Sequence, residues 1–211
     1  MALKKKEHVN KVPLEITQEH RDNRRDYAGL LKELNSDNPI ERRWAARDMA
    51  TFPEAVDALL TALSDESEHV VREALFGSLS SIGGESVVSG LISILRSEDA
   101  ELRNGAIEVL QSIPDTVALH IIELLNDQDS DVRIFAIDIL QQLAHPQTPE
   151  WLLSVLKDES HVNVVATAVD RLTEVGTPDM IVALEGIKQR FPDEPYLAFA
   201  VDTAILRIQE N

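Results

Sequence analysis

Residues 121–140 read IIELLNDQDSDVRIFAIDIL. An apolar opening runs into the break Asn126-Asp127-Gln128-Asp129-Ser130, and a second apolar run follows. In that run Val132, Ala136, Ile137, Ile139, Leu140 and, just beyond, Leu143 return at i, i+4, i+7 and i+8, which lays one broad stripe on a helix. Asp, Asn and Ser in the break stop one helix and cap the next, because their short side chains bond the free N–H groups of a first turn. The segment therefore predicts a helical hairpin, and no stretch of the chain has the strict alternation of a strand.

The hairpin recurs. Leu30 begins LLKELNSDNPIERRWAARDMA, Leu59 begins LLTALSDESEHVVREALFGSL, and Leu91 begins LISILRSEDAELRNGAIEVL. Their arginines, Arg42, Arg72, Arg103 and Arg133, lie 30, 31 and 30 residues apart. A fifth frame, LLSVLKDESHVNVVATAVDRL from Leu152, puts Val165 at the arginine position, and a weaker sixth puts Ala198 there. Pro53, Gly83-Gly84, Pro114, Pro146 with Pro149, and Gly176 with Pro178 punctuate the units; the glycine pair fits a left-handed helix C-cap. A lone hairpin cannot bury its apolar faces, whereas stacked hairpins share one core. The expected fold is an all-α solenoid of about six hairpins with helices of about 10–15 residues, a single domain over residues 26–211.

Composition narrows the function classes. The 211 residues carry 37 acidic and 20 basic side chains, net −17, with 44% hydrophobic residues, enough to bury a core. Residues 1–25 hold 7 basic and 4 acidic groups, net +3, and the rest hold 13 and 33, net −20. The head is expected to be a mobile basic arm, either a docking element or simply solvated, and the acidic body argues against nucleic acid. No cysteine is present, which excludes disulfides, thiolate metal sites and thiol catalysis. No apolar run is long enough for a bilayer and no signal peptide opens the chain, so the expected location is cytoplasmic.

The pattern Asp129-Ser-Asp-Val132-Arg133-Ile-Phe-Ala136, with its period of about 30, resembles the short HEAT-like repeats first noted in phycobilisome lyases. The resemblance covers roughly residues 28–190. It implies a right-handed solenoid whose second helices line a concave face, and a structural ladder of Arg42, Arg72, Arg103 and Arg133 with Asp65, Asp99 and Asp129. Such repeats serve scaffolds, adaptors, bilin-lyase subunits and a few enzymes, so the fold does not settle the function.

On the second helices, the positions five residues past the arginine are Arg47, Gly77, Glu108, Asp138, Asp170 and Thr203. Eight and nine past it come Gln111, Gln141, Gln142 and Glu174 among others. The expected partner-binding face is thus Glu108, Asp138, Asp170, Gln111, Gln141, Gln142 and Glu174, suited to a basic or polar protein segment. The last helix carries Tyr196, Leu197, Phe199, Val201, Ala204, Ile205, Leu206 and Ile208 and is apolar nearly all round. Either residues 179–190 cover it or it is free for a partner or a second copy.

Signatures of chemistry are missing. None of the six histidines stands at i, i+3 or i+4 to another, and no His-Glu-x-x-His, phosphate-binding glycine loop or nucleophile elbow occurs. The repeated His-Glu pairs of the deoxyhypusine hydroxylases, an iron enzyme group with HEAT repeats, do not occur either. The sequence therefore predicts no catalytic residue, no metal and no cofactor. The leading expectation is a non-enzymatic adaptor gripping a protein segment on its concave face. The alternative is a bilin-lyase-like subunit handling an open-chain tetrapyrrole or its phycobiliprotein carrier.

Overall fold

The computed structural model describes residues 26–143 and 145–210, so the expected amino-terminal arm lies outside the described residues. Thirteen α-helices and no strand occur among them: α1 Tyr27–Leu34, α2 Pro39–Asp48, α3 Val56–Asp65, α4 His69–Ile82, α5 Glu85–Ile94, α6 Ala100–Ser112, α7 Pro114–Val117, α8 Ile121–Leu125, α9 Ser130–Gln142, α10 Thr148–Asp158, α11 Val162–Val175, α12 Ile181–Arg190 and α13 Pro195–Glu210. No helix among them is long and apolar enough to cross a membrane.

These helices form six hairpins, α1–α2, α3–α4, α5–α6, α8–α9, α10–α11 and α12–α13. Unit four departs from the pattern. Pro114 opens the four-residue α7, and the chain then turns before α8, so its first helix is split in two. The second helices pack on one another at every step, α2 on α4 through to α11 on α13. The first helices touch less evenly, so the layer of second helices is the tighter one, which in a curved stack is the inner side. The fold is an all-α solenoid.

The register of each second helix accounts for its packing. Three residues past the arginine position stand Ala45, Leu75, Ala106, Ala136, Ala168 and Val201, all buried. Seven past it, on the same face, stand Met49, Leu79, Leu110, Leu140 and Leu172, also all buried. Between units, the buried Ser78 hydroxyl donates to the Ala46 carbonyl at 2.7 Å, which satisfies a polar group that has no water.

In the α12–α13 hairpin Asp202 occupies the place of Ala46 and Ile137 and is ion-paired with Lys188. Leu197, Val201, Ala204 and Ile208 of α13 are buried among α11, α12 and their own helix. Tyr196, Phe199 and Leu206 remain exposed, at 75%, 69% and 56%. Phe199 and Leu206 stand one and eight residues past the arginine position, on the side of α13 away from its buried residues.

Gly83 and Gly84 join α4 to α5 with φ of 62° and 81° and ψ of −162° and 178°. Their positive φ fits the expectation, but ψ near 180° places both outside the left-handed helical basin, in a region open essentially to glycine alone.

Candidate functional site

Two sets of residues give the solenoid its shape and its accessible face. The first is the arginine ladder. Each ladder arginine donates to the carbonyl six residues before it: Arg42 to Ser36 at 2.9 Å, Arg72 to Glu66 at 2.7 Å, Arg103 to Ser97 at 2.6 Å and Arg133 to Asp127 at 2.8 Å. The guanidinium thus ties each second helix to its own break. Its remaining N–H groups reach forward to the next unit.

Arg42 grips Glu66 with two bonds, Nε at 2.7 Å and Nη2 at 2.9 Å. Arg133 grips Glu159 in the same way, at 2.6 and 3.1 Å. Arg72 meets Asp99 at 2.9 Å and Glu101 at 2.7 Å, and Arg103 lies 5.8 Å from the Phe135 ring centroid. Of the expected acidic partners, only Asp99 meets an arginine. Asp65 ends α3 exposed, and the carboxylate at Arg42 belongs to Glu66. Asp129 caps α9 by accepting from the Asp131 amide at 2.9 Å.

Sequence reasoning missed Glu66 and Glu159 because they do two jobs from one place. Asp99 and Asp129 cap their helices directly, whereas Glu68 and His161 at the corresponding positions of α4 and α11 cap nothing with their side chains. Instead Glu66 Oε1 accepts from the Ser67 and Glu68 amides, and Glu159 Oε1 from those of Ser160 and His161. The shared run Asp-Glu-Ser at 65–67 and 158–160 was the signal. The Arg42 hydrogen bond holds the Glu66 carboxyl below the usual carboxylate range, against the opposing pull of burial. At Glu159 burial pushes upward, and the Arg133 bond with the backbone N–H groups outweighs it, so its pKa is also lowered.

In unit five, Val165 has replaced the arginine and is fully buried. Arg190, at the end of α12, takes over: its guanidinium donates to the Leu156 and Glu159 carbonyls. Glu159 is six residues before Val165, so the same carbonyl is served by a borrowed arginine.

The second set faces inward. Opposite the buried stripe, positions one, five and eight past the arginine site turn away from the first helices. They read Arg43-Arg47-Ala50, Glu73-Gly77-Ser80, Asn104-Glu108-Gln111, Ile134-Asp138-Gln141, Ala166-Asp170-Thr173 and Phe199-Thr203-Leu206. The expected face residues Glu108, Asp138 and Asp170 share this stripe. Gln142 and Glu174 sit one residue further round, exposed.

Neighbouring units are stitched along the stripe. Gln111 Nε2 donates to the Asp138 carbonyl at 2.8 Å, and Arg171 Nη2 to the Gln141 carbonyl at 2.9 Å. Arg171 also pairs with Glu174. Gln111 and Glu174 are therefore partly committed within the protein, while Glu108 and Asp170 are exposed.

Asp138 is half-buried, its carboxylate meets no cation among the described residues, and burial pushes its pKa up. A raised folded pKa disfavours the folded state once pH rises through it. Asp138→Asn is accordingly expected to raise stability at pH 7 by about 0.5 kcal/mol and to change nothing at pH 3, measured by urea unfolding.

The inner face is graded. At the α2 end it is cationic, with Arg43 and Arg47 on a trough of about 350 Å³ between α2 and α4. A second trough of about 790 Å³ between α4 and α6 shares Glu73 and Gly77 with the first and adds Phe76, Asn104, Glu108 and Ser112. The middle is acidic, and the α13 end is aromatic and aliphatic. No group of three or more His, Cys, Asp or Glu that could hold a metal occurs among the described residues.

A search of known proteins finds a local likeness to the bilin biosynthesis protein PecE of Nostoc sp. PCC 7120, 36% identical over 74 residues. The match covers 34% of this chain and 29% of PecE. Among solved structures, the CpcE–CpcF complex of phycocyanin lyase from Nostoc sp. PCC 7120 aligns with a TM-score of 0.37 and 20% identity, over 86% of this chain and 94% of that one. An engineered protein aligns with a TM-score of 0.39 and 19% identity, over 86% and 95%. The pattern of the HEAT repeats matches residues 27–111 and 118–197, most of the six stacked hairpins, and the chain belongs to the HEAT repeat family.

Proposed function

We propose that this chain is a bilin-handling subunit of the lyase type, holding an open-chain tetrapyrrole or the phycobiliprotein that carries it against its inner face. The observation that carries this reading is the local likeness to PecE, 36% identity over 74 residues. An open face with troughs at one end is compatible with either cargo. The experiment is capture of apo-phycobiliprotein subunits by the immobilised chain, with and without added bilin. Retention of a carrier subunit, or a pigment band on the chain, is the expected result; loss of both overturns the reading.

A second reading, a plain adaptor, rests on the half-buried carboxylate of Asp138, flanked along the stripe by Glu108 and Asp170. Such a row suits the Lys or Arg side chains of a partner segment. Reversing charge at all three should then abolish capture of a basic partner and its salt dependence while leaving the helical spectrum intact. Capture unchanged by the reversal counts against this row.

A further inference from the structure

We propose that the trough between α2 and α4 is a binding site for a flat, largely apolar dicarboxylate, with Arg43 and Arg47 as its carboxylate anchors and Gly77 as its floor. Arg43 and Arg47 stand at i and i+4 of one helix, so their side chains leave the same face about 6 Å apart. Both line the trough, and neither forms an ion pair among the described residues. Arg47 lies 5.5 Å from the Trp44 ring centroid, which steadies the guanidinium without neutralising it. The contrast with the ladder is direct: Arg42, Arg72 and Arg133 are each held by carboxylates. Two guanidiniums with no carboxylate partner among the described residues, in one trough on a body that is otherwise strongly acidic, are a local reversal of sign. Glu73, the one acid lining the trough among the described residues, is 3.4 Å from His69 Nε2.

Gly77 supplies the second, independent observation. It stands inside α4, where glycine is a poor helix former, and a Cβ there would meet nothing within 4 Å. Packing does not require this glycine. Gly105 on the neighbouring helix is different, since a Cβ there would collide with the Phe76 ring. Position 77 falls on the inward stripe, between Arg47 and Glu108, and its bare backbone opens the floor shared by both troughs. Val70, 45% exposed, lines the first trough, and Ile40, 52% exposed, lies on the same side of α2 one turn before Arg43. An aliphatic patch of Ala50 and Val70, an open floor and paired guanidiniums on one rim fit a thin body with an apolar edge and two acid arms. Guanidinium forks bind carboxylates in pairs of charge-assisted bonds, which fixes orientation as well as affinity.

An open-chain tetrapyrrole with two propionates is such a molecule, and naming it rests on the bilin-handling reading above. The probes are biliverdin and its dimethyl ester, which has the same rings and no free acid. Titrated into the full chain and followed by visible absorption, biliverdin is expected to bind the wild type at least about tenfold tighter than the Arg43→Gln/Arg47→Gln variant. The ester is expected to bind both proteins alike, at the weaker affinity. Gly77→Phe grows into open space, so it should keep the helical spectrum and weaken both ligands. Equal affinity of biliverdin for wild type and the double variant overturns the site, as does equal affinity of acid and ester for the wild type. A wild type that takes neither ligand also removes the site, while carrier capture still decides the broader function.

Discussion

Replacing Arg42 by alanine is expected to lower the unfolding free energy by about 2–3 kcal/mol, more than removing its partner Glu66. The asymmetry follows from burial. The Glu66 side chain is 5% exposed and would be left charged, with no cation, against α4. Arg42 is 19% exposed and keeps the Ser36 and Asp37 carbonyls when Glu66 is lost. Glu66→Gln retains the cap on the Ser67 and Glu68 amides and should cost about 1 kcal/mol. The pH dependence has a definite sign. Glu66 has a folded pKa held below its unfolded value, chiefly by Arg42, so its contribution is complete above the unfolded value. It is lost as pH falls through the folded one. Urea midpoints of wild type and Glu66→Gln should therefore differ at pH 7 and converge at low pH. A constant gap across that range would show that the pair contributes nothing through its charge.

Gly84→Ala should destabilise by about 2 kcal/mol, through the backbone alone. No atom lies within 4 Å of the added Cβ, so there is no clash to blame, but φ of 81° with ψ of 178° is strained for any residue with a side chain. Gly77→Ala is the matched control. It lies inside a helix with equal open space and no positive φ, and it should stabilise by up to about 1 kcal/mol. Opposite signs at two uncrowded glycines would isolate conformation as the cause. Two destabilising results would mean that the α4–α5 connection is not what makes Gly84 necessary.

The period of the arginines and the stripe through Val132, Ala136 and Leu140 were enough to read hairpins, their number and their stacking. These features are local and repeat, so each unit restates the same constraint. The partners of the arginines were less legible. Glu66 and Asp65 are adjacent in sequence, and only the turn geometry decides which carboxylate folds back over α4. Arg190 was invisible for a stronger reason: it reaches the carbonyl left vacant in unit five from a different helix, with no frame relation to Arg133 or Arg42. The split of α7 and α8 could be anticipated from Pro114 only as a boundary.

On the inner face, Glu108, Asp138 and Asp170 were found by counting five from the arginine site. Position one was passed over, and with it Arg43 and Phe199, although the same 3.6-residue period places them there. The apolar excess of α13 was read as a question about the end of the stack. Residues of α12 and α11 cover Val201 and Ala204, while Phe199 and Leu206 stay exposed on the stripe.

The central claim is that the inward stripe of the second helices is the gripping surface. Carboxylate footprinting of the chain, alone and with captured apo-phycobiliprotein, tests it residue by residue. Protection of Glu108 and Asp170, with Asp57 and Glu123 on the first helices α3 and α8 labelled as before, is the predicted result. Protection of Asp57 and Glu123, with Glu108 and Asp170 unchanged, would place the partner on the outer layer and contradict the account.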